Sequence, residues 1–235
     1  MTGAWHGLAA HLATAQAVPS VFGGSANVVA VLVLLLEFGM FRQALLRDQI
    51  RLYAAQSAAV SVLAVIIAAA RHVPELYLLA ALSAALKVVI VPVIMRRQLR
   101  GADQEIAGSG ALGIASTVLL AIAVAAFGFF AVGTLGIAGV TLPETALGLA
   151  MAVVLVAFVL MIVRRDVLSQ AIGFFSLENG VSLAALVIAA HMPLILEVAF
   201  LFDVLVAVVV FGVLIRVHHG RTESLSTTEL TRLRG

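Results

Sequence analysis

Seven apolar runs of about 20 residues each dominate this chain, and each is long enough to cross a bilayer as a helix at ~1.5 Å rise per residue. Hydrophobic residues make up 63% of the 235 positions and charged residues only 11%, whereas soluble domains carry about 25% charged residues. The sequence therefore predicts an all-α integral membrane protein with seven transmembrane helices. The predicted spans are 21–41, 52–70, 76–95, 112–132, 145–163, 170–190 and 194–215.

The segments outside these runs divide the chain into three parts. Residues 1–20 contain no lysine or arginine and lack the charged start of a signal peptide, so we expect a short tail. Residues 21–218 form the predicted membrane domain, and residues 219–235 turn polar and basic, which predicts a tail in water.

The positive charges predict the orientation, because translocated loops are poor in lysine and arginine. Twelve arginines fall on one side of the predicted membrane, and Arg71 alone falls on the other. Lys87, the remaining basic residue, lies within the third run. The amino terminus is therefore expected outside and the carboxyl terminus in the cytoplasm. The twelve are Arg42, Arg47, Arg51, Arg96, Arg97, Arg100, Arg164, Arg165, Arg216, Arg221, Arg232 and Arg234.

Composition also excludes several classes of function. A net charge of +2 is too small for a protein surface that binds nucleic acid. The absence of cysteine excludes disulfides, iron–sulfur ligation and thiolate metal sites. His72 and His191 are the candidate haem or metal ligands, but both stand in proline-containing outer turns rather than inside facing helices. The sequence predicts no cofactor, no metal and no active site in this chain.

An internal repeat links the second and third spans to the sixth and seventh. The stretch "RHVPELYLL" resembles "AHMPLILEV", so that His72 and Pro74 match His191 and Pro193 at an offset of 119 residues. Upstream, an offset of 122 aligns Gln56 with Glu178. A parallel 3+1+3 repeat and chance similarity between apolar helices both account for this pattern.

Three charged residues lie deep within the spans. Inserting a charged side chain at the centre of a membrane helix costs roughly 2.5–3.5 kcal/mol, so such a residue is retained only where it has a binding partner or a function. They are Lys87, Glu178 and Asp203, and all three are expected to face protein. One interpretation is proton transfer, and the other is a permanent ion pair that ties helices together. Supporting polar residues stand nearby along the helices: Ser83, Asn179 and Ser182.

Two further acids lie nearer the ends of spans. Glu37 is about one turn from the cytoplasmic boundary and Glu197 is near the outer boundary, so both are expected to reach water and to serve either as portals for protons or as interfacial acids. Gln56 lies shallow in the second span, where it either lines a hydrated path or bonds a neighbouring helix.

The residues resemble a known family. The stretches "MIVRRDVLSQAIGFFSLENGVSLAALVIAA" and "LILEVAFLFDVLVAVVVFGVLIRVHH" resemble the last two helices of the K subunit of respiratory complex I, a likeness that covers residues 145–218. Seven spans with this part at the end, and the "ALKVVIVP" of the third span, resemble component E of hydrogenase-4 and formate hydrogenlyase-type complexes. K subunits carry one glutamate in each of these two helices. Asp203 falls on the second position; the first falls on Phe175, with Glu178 one helical turn further on.

The resemblance implies a non-redox membrane subunit of a complex I-like assembly, with antiporter-like subunits as partners. Lys87, Glu178 and Asp203 would take part in proton transfer, with Glu37 and Glu197 at its ends. Two alternatives stay open: a scaffold that packs antiporter-like subunits against a redox arm, and a self-contained proton or cation transporter.

Overall fold

A computed structural model describes residues 21–100, 112–135, 143–189, 198 and 201–213. Within these ranges the structure is all-helical, as predicted. The helices are α1 (Val21–Arg42), α2 (Leu46–Arg71), α3 (Pro74–Ala84, continued by Ala85–Ile90 and Val91–Arg100), α4 (Ile114–Leu135), α5 (Glu144–Val163), α6 (Val167–Ala189) and α7 (Leu201–Val213).

Six of these helices, α1 to α6, are long and apolar enough to cross a membrane by their length and composition. The seventh predicted span corresponds to α7, of which the described part is a shorter apolar helix. The predicted tails and residues Glu197 and His191 lie outside the described ranges. Helix α2 begins at Leu46, six residues before the predicted span 52–70, and buries Gln49 and Ile50 near its start.

Successive helices alternate in direction, so the bundle has two ends. The Arg42 end holds the last residues of α1 and α5 and the first residues of α2 and α6. The Arg71 end holds the turn between α2 and α3, where His72 adopts a left-handed conformation (φ 54°) and Pro74 starts α3 without needing a backbone donor. His72 is exposed in this turn.

Glycines let α4, α5 and α6 approach closely. A Cβ on Gly180 would stand 2.8 Å from the Val154 side chain, and one on Gly173 would stand 2.8 Å from Met161. On the opposite side of α5, a Cβ on Gly148 would stand 2.9 Å from the Phe129 ring. Small residues at such crossings drive helix association where lipid provides no hydrophobic force, and they fix α6 firmly against α5.

Polar contacts show that α2 and α6 run parallel. Ser169 donates to Gln49 at 2.9 Å near the Arg42 end, and Asn179 donates to Ser57 at 2.9 Å between two and three turns further along both helices. The contacting residues are 120 and 122 positions apart in sequence. This pairing carries the polar side chains of both helices to matching depths in the bundle.

The Arg42 end is held together by Arg164, which follows α5. Its guanidinium donates to the backbone carbonyls of Phe41 at 2.9 Å and Gln43 at 3.2 Å. A cation at a helix C-terminus satisfies orphan carbonyls and complements the helix dipole. Partial burial lowers the pKa of Arg164, and the neighbouring Asp166 opposes this shift; an arginine nevertheless keeps its charge.

Candidate functional site

A lysine and two acids meet between α3, α6 and α7. The Lys87 Nζ lies 2.8 Å from the Asp203 Oδ2 and 3.4 Å from the Glu178 Oε1. All three side chains are at most 6% exposed. We call this group, with Ser83 and Ser182, the lysine–acid cluster.

The two serines complete the hydrogen bonding of this cluster. Lys87 donates to the Ser182 Oγ at 3.2 Å, and Ser182 in turn reaches the Asp203 Oδ1 at 3.5 Å. Ser83, one turn before Lys87, donates to the Asp203 Oδ2 at 3.3 Å. Asp203 thus has three partners, whereas neither oxygen of Glu178 accepts a hydrogen bond from the described residues. Glu178 is the more weakly held acid.

A π-helical segment, Ala85–Ile90, presents Lys87 to the cluster. Proline at position 92 has no backbone N–H, so an ordinary i→i−4 bond to the carbonyl of Val88 cannot form. The helix widens here, and the Val91 N–H bonds to the Leu86 carbonyl five residues earlier. Single π-turns of this kind are frequent at functional sites, and this one lies in the middle of α3.

A second polar group, the amide cluster, lies nearer the Arg42 end. Gln56 donates to the Glu37 Oε2 at 2.7 Å, and Ser176 also donates to that oxygen. Ser176 is 2.8 Å from the Gln56 Oε1, which also accepts a bond from Asn179 at 3.1 Å. Through Asn179 the cluster reaches Ser57. Five polar side chains from α1, α2 and α6 are therefore linked in a buried network.

The amide cluster corrects the prediction for Glu37. This side chain was expected to reach water, but it is fully buried because Gln56 and Ser176 supply donors within the bundle. Gln56 is likewise fully buried and bonds α1 and α6 rather than lying near a surface. Of the predicted site residues, Glu197 lies outside the described ranges.

The two clusters share helix α6. Ser176 and Asn179 belong to the amide cluster, whereas Glu178 and Ser182 belong to the lysine–acid cluster. Polar atoms without a hydrogen-bond partner in the described structure remain in both, on Glu37, Glu178 and Asn179.

Tyr53 is a buried polar residue that the sequence did not single out. Its side chain is fully buried, and its hydroxyl has no hydrogen-bond partner among the described residues. The ring lies 5.6 Å from Phe175, which in turn lies 5.9 Å from Phe211. Phe175 therefore packs in an aromatic row, and the acid one turn further on, Glu178, enters the ion cluster. The signal available was Tyr53 standing one turn before Gln56.

Within the described residues, no group of three or more histidine, cysteine, aspartate or glutamate side chains is placed to hold a metal ion. The chemistry that this arrangement offers is acid–base chemistry by groups that can gain or lose a proton.

The fold and the site define a multi-pass helical membrane protein with a buried lysine–acid cluster. The chain is 29% identical over 149 residues to hydrogenase-4 component E of Escherichia coli and of Shigella flexneri, which covers 63% of this chain and 69% of that protein. This distant homology supports the component E family. The chain is also 46% identical over 76 residues to the uncharacterized protein Rv0085 of Mycobacterium tuberculosis, a match that spans about a third of each (32% of this chain and 34% of the relative). No family model and no solved structure matches.

Proposed function

We propose that this chain is a non-redox membrane subunit of a complex I-like assembly, of the hydrogenase-4 or formate hydrogenlyase type, that helps couple redox chemistry to proton translocation. The homology to hydrogenase-4 component E supports the assembly. The observation that carries the coupling role is the buried contact of Lys87 with both Asp203 and Glu178.

The charges of this cluster favour proton exchange over a permanent ion pair between helices. One lysine balances one carboxylate, so a second buried carboxylate leaves an uncompensated negative charge when all three groups ionise. Uptake of one proton makes the cluster neutral, and isolated charges are costly in such surroundings. Glu178 receives that proton because it lacks the hydrogen bonds that hold Asp203 ionised. A permanent ion pair would need only one acid.

Protons would pass along Glu178, Lys87 and Asp203, with Ser83, Ser182 and Asn179 as supporting groups. Glu37, with Gln56, serves as an internal acid on the Arg42 side, and Glu197 remains the proposed group on the other side. Ser176 and Asn179 stand on the same helix as Glu178, one turn or less away, which supports a link between the two clusters.

The architecture that we propose is seven spans with the amino terminus outside, the carboxyl terminus in the cytoplasm and a parallel 3+1+3 repeat. Contacts between the helices that the repeat relates support the repeat: α1 meets α5 through Asn27 and Thr145, α2 meets α6, and α3 meets α7, at sequence separations of 118 to 122. A reporter active only outside the cell should work when fused after His191 and fail after Gly235. The reverse result would contradict the orientation.

The proposed partners are antiporter-like subunits in the bacterial or archaeal cytoplasmic membrane. Gentle purification of the chain from its membranes tests this. Antiporter-like proteins together with iron–sulfur and NiFe subunits support the assembly, whereas a lone homo-oligomer would contradict it.

The coupling role is tested by Glu178→Gln, which keeps the size of the side chain and removes its proton exchange. The matched control is Glu144→Gln, an exposed acid at the start of α5. In membrane vesicles that hold the assembly, both variants should reduce a soluble dye at the parent rate. Only Glu178→Gln should lose most of the proton gradient. An unchanged gradient in Glu178→Gln would leave the chain a scaffold.

A further inference from the structure

A cavity opens beside the lysine–acid cluster, between α2, α3, α6 and α7. Its volume is about 50 Å³, and a bound water needs about 10–15 Å³ of such space, so three to five water molecules fit. The walls come from the later part of α2 and α6 and from the first turns of α3, including Ala64, Ala185 and Leu76. The cavity therefore lies in the half of the bundle nearer the Arg71 end.

The inner end of this cavity is polar. Ser83, Ser182 and Asp203 line it, whereas Lys87 and Glu178 do not. A carboxylate offers about four acceptor sites, and the described partners of Asp203 are Lys87 and the two serines. Asp203 thus has acceptor capacity left for water. An apolar cavity stays dry, but a cavity with several polar partners at one end holds water.

We propose that this cavity, the Asp203 cavity, is a water-filled passage that connects Asp203 to the aqueous phase at the Arg71 end of the bundle. Its ligands are water and the hydrated proton. The passage rests on the proposed function only for its use in proton transfer. Asp203 is the group of the lysine–acid cluster that exchanges protons with this side, since it is the charged member that faces the cavity.

The absence of cysteine from the chain makes a direct test possible with single-cysteine variants. Ser61→Cys and Ala80→Cys place a thiol in the cavity wall on α2 and α3. The matched controls are Val62→Cys and Leu82→Cys, which stand on the same two helices but are 56% and 43% exposed on the outer surface of the bundle. Glu75→Cys, exposed in the first turn of α3, marks the Arg71 side.

The probe is Ag⁺, a small cation that does not cross the bilayer, added to intact cells or to inverted vesicles. Thiols left unreacted are then counted with a maleimide after unfolding. Ser61→Cys and Ala80→Cys should react more than about tenfold faster than their controls, because only the thiolate reacts and a thiol in lipid stays protonated. They should react from the same side as Glu75→Cys.

Two results would overturn the passage. Reaction of both cavity cysteines no faster than at Val62→Cys and Leu82→Cys would mean that the cavity is dry or filled by lipid. Reaction only from the side opposite Glu75→Cys would mean that water enters from the Arg42 end. Neither result depends on proton pumping, so loss of this inference and loss of the proposed function are separate outcomes.

Discussion

Replacing Lys87 by methionine removes the positive charge that Asp203 and Glu178 share, and the cost can be estimated from the geometry. At 2.8 Å and an effective dielectric constant of about 20, the Lys87–Asp203 attraction is about 6 kcal/mol. Desolvation offsets part of it, and breaking a buried pair from one side costs about 3–5 kcal/mol. Lys87→Met should therefore lower the free energy of unfolding by about that amount.

The double variant Lys87→Met with Asp203→Asn separates the ion pair from packing. An asparagine leaves no charge at position 203, so the double variant should be more stable than the sum of the two single losses predicts. We expect a coupling energy of about 2–3 kcal/mol, at the upper end of the range for residues in contact. The purified chain would be unfolded with SDS in mixed micelles and followed by circular dichroism.

The control cycle pairs Asp203→Asn with Arg97→Met, which removes an exposed charge elsewhere on α3. Those two changes should add to within about 0.5 kcal/mol. If the Lys87 cycle were equally additive, the two residues would not interact, and the cluster on which the functional argument depends would be refuted.

Other predictions concern the packing that holds the site. Gly180→Ala should destabilise the fold by about 1–3 kcal/mol through overpacking, because its Cβ would stand 2.8 Å from Val154. The control Gly133→Ala has open space around it and should be neutral or stabilising by up to about 1 kcal/mol. Equal effects of the two changes in SDS unfolding would contradict the close helix contact. Arg164→Met should loosen the α1–α2 turn, seen as faster backbone hydrogen exchange there, and unchanged exchange would show that its bonds to the carbonyls contribute nothing. Glu37→Leu should cost about 1–3 kcal/mol by removing the carboxylate oxygen to which both Gln56 and Ser176 donate, and parent-like stability would contradict the amide cluster.

Hydropathy could predict the helices because the free energy of transferring an apolar run from water to lipid depends on the residues of that run alone. The spans near α1, α4 and α5 lie close to their observed bounds. Helix α2 extends beyond the predicted span because Arg47, Asp48 and Arg51 lower the local hydropathy without ending the helix. Helix continuation depends on backbone hydrogen bonds, which hydropathy does not measure.

The members of the site were predictable, and an ion pair of Lys87 with one of the two acids was one of the interpretations that the sequence allowed. Lys87, Glu178 and Asp203 stand out because a charge at membrane depth is rare, yet their spacing along the chain does not decide which acid the lysine contacts. The structure joins the lysine to both acids. Glu37 was misjudged for the same reason: the residues that bury it lie 19 and 139 positions further along the chain.

The most direct measurement is the number of protons moved per electron in membrane vesicles that hold the assembled complex, for the parent, Lys87→Met and Lys87→Arg. The account predicts that both variants keep dye-linked redox activity and lose proton movement, since methionine carries no proton and arginine does not release one. Normal proton movement by an intact Lys87→Met complex would contradict a proton-transfer role for the lysine–acid cluster.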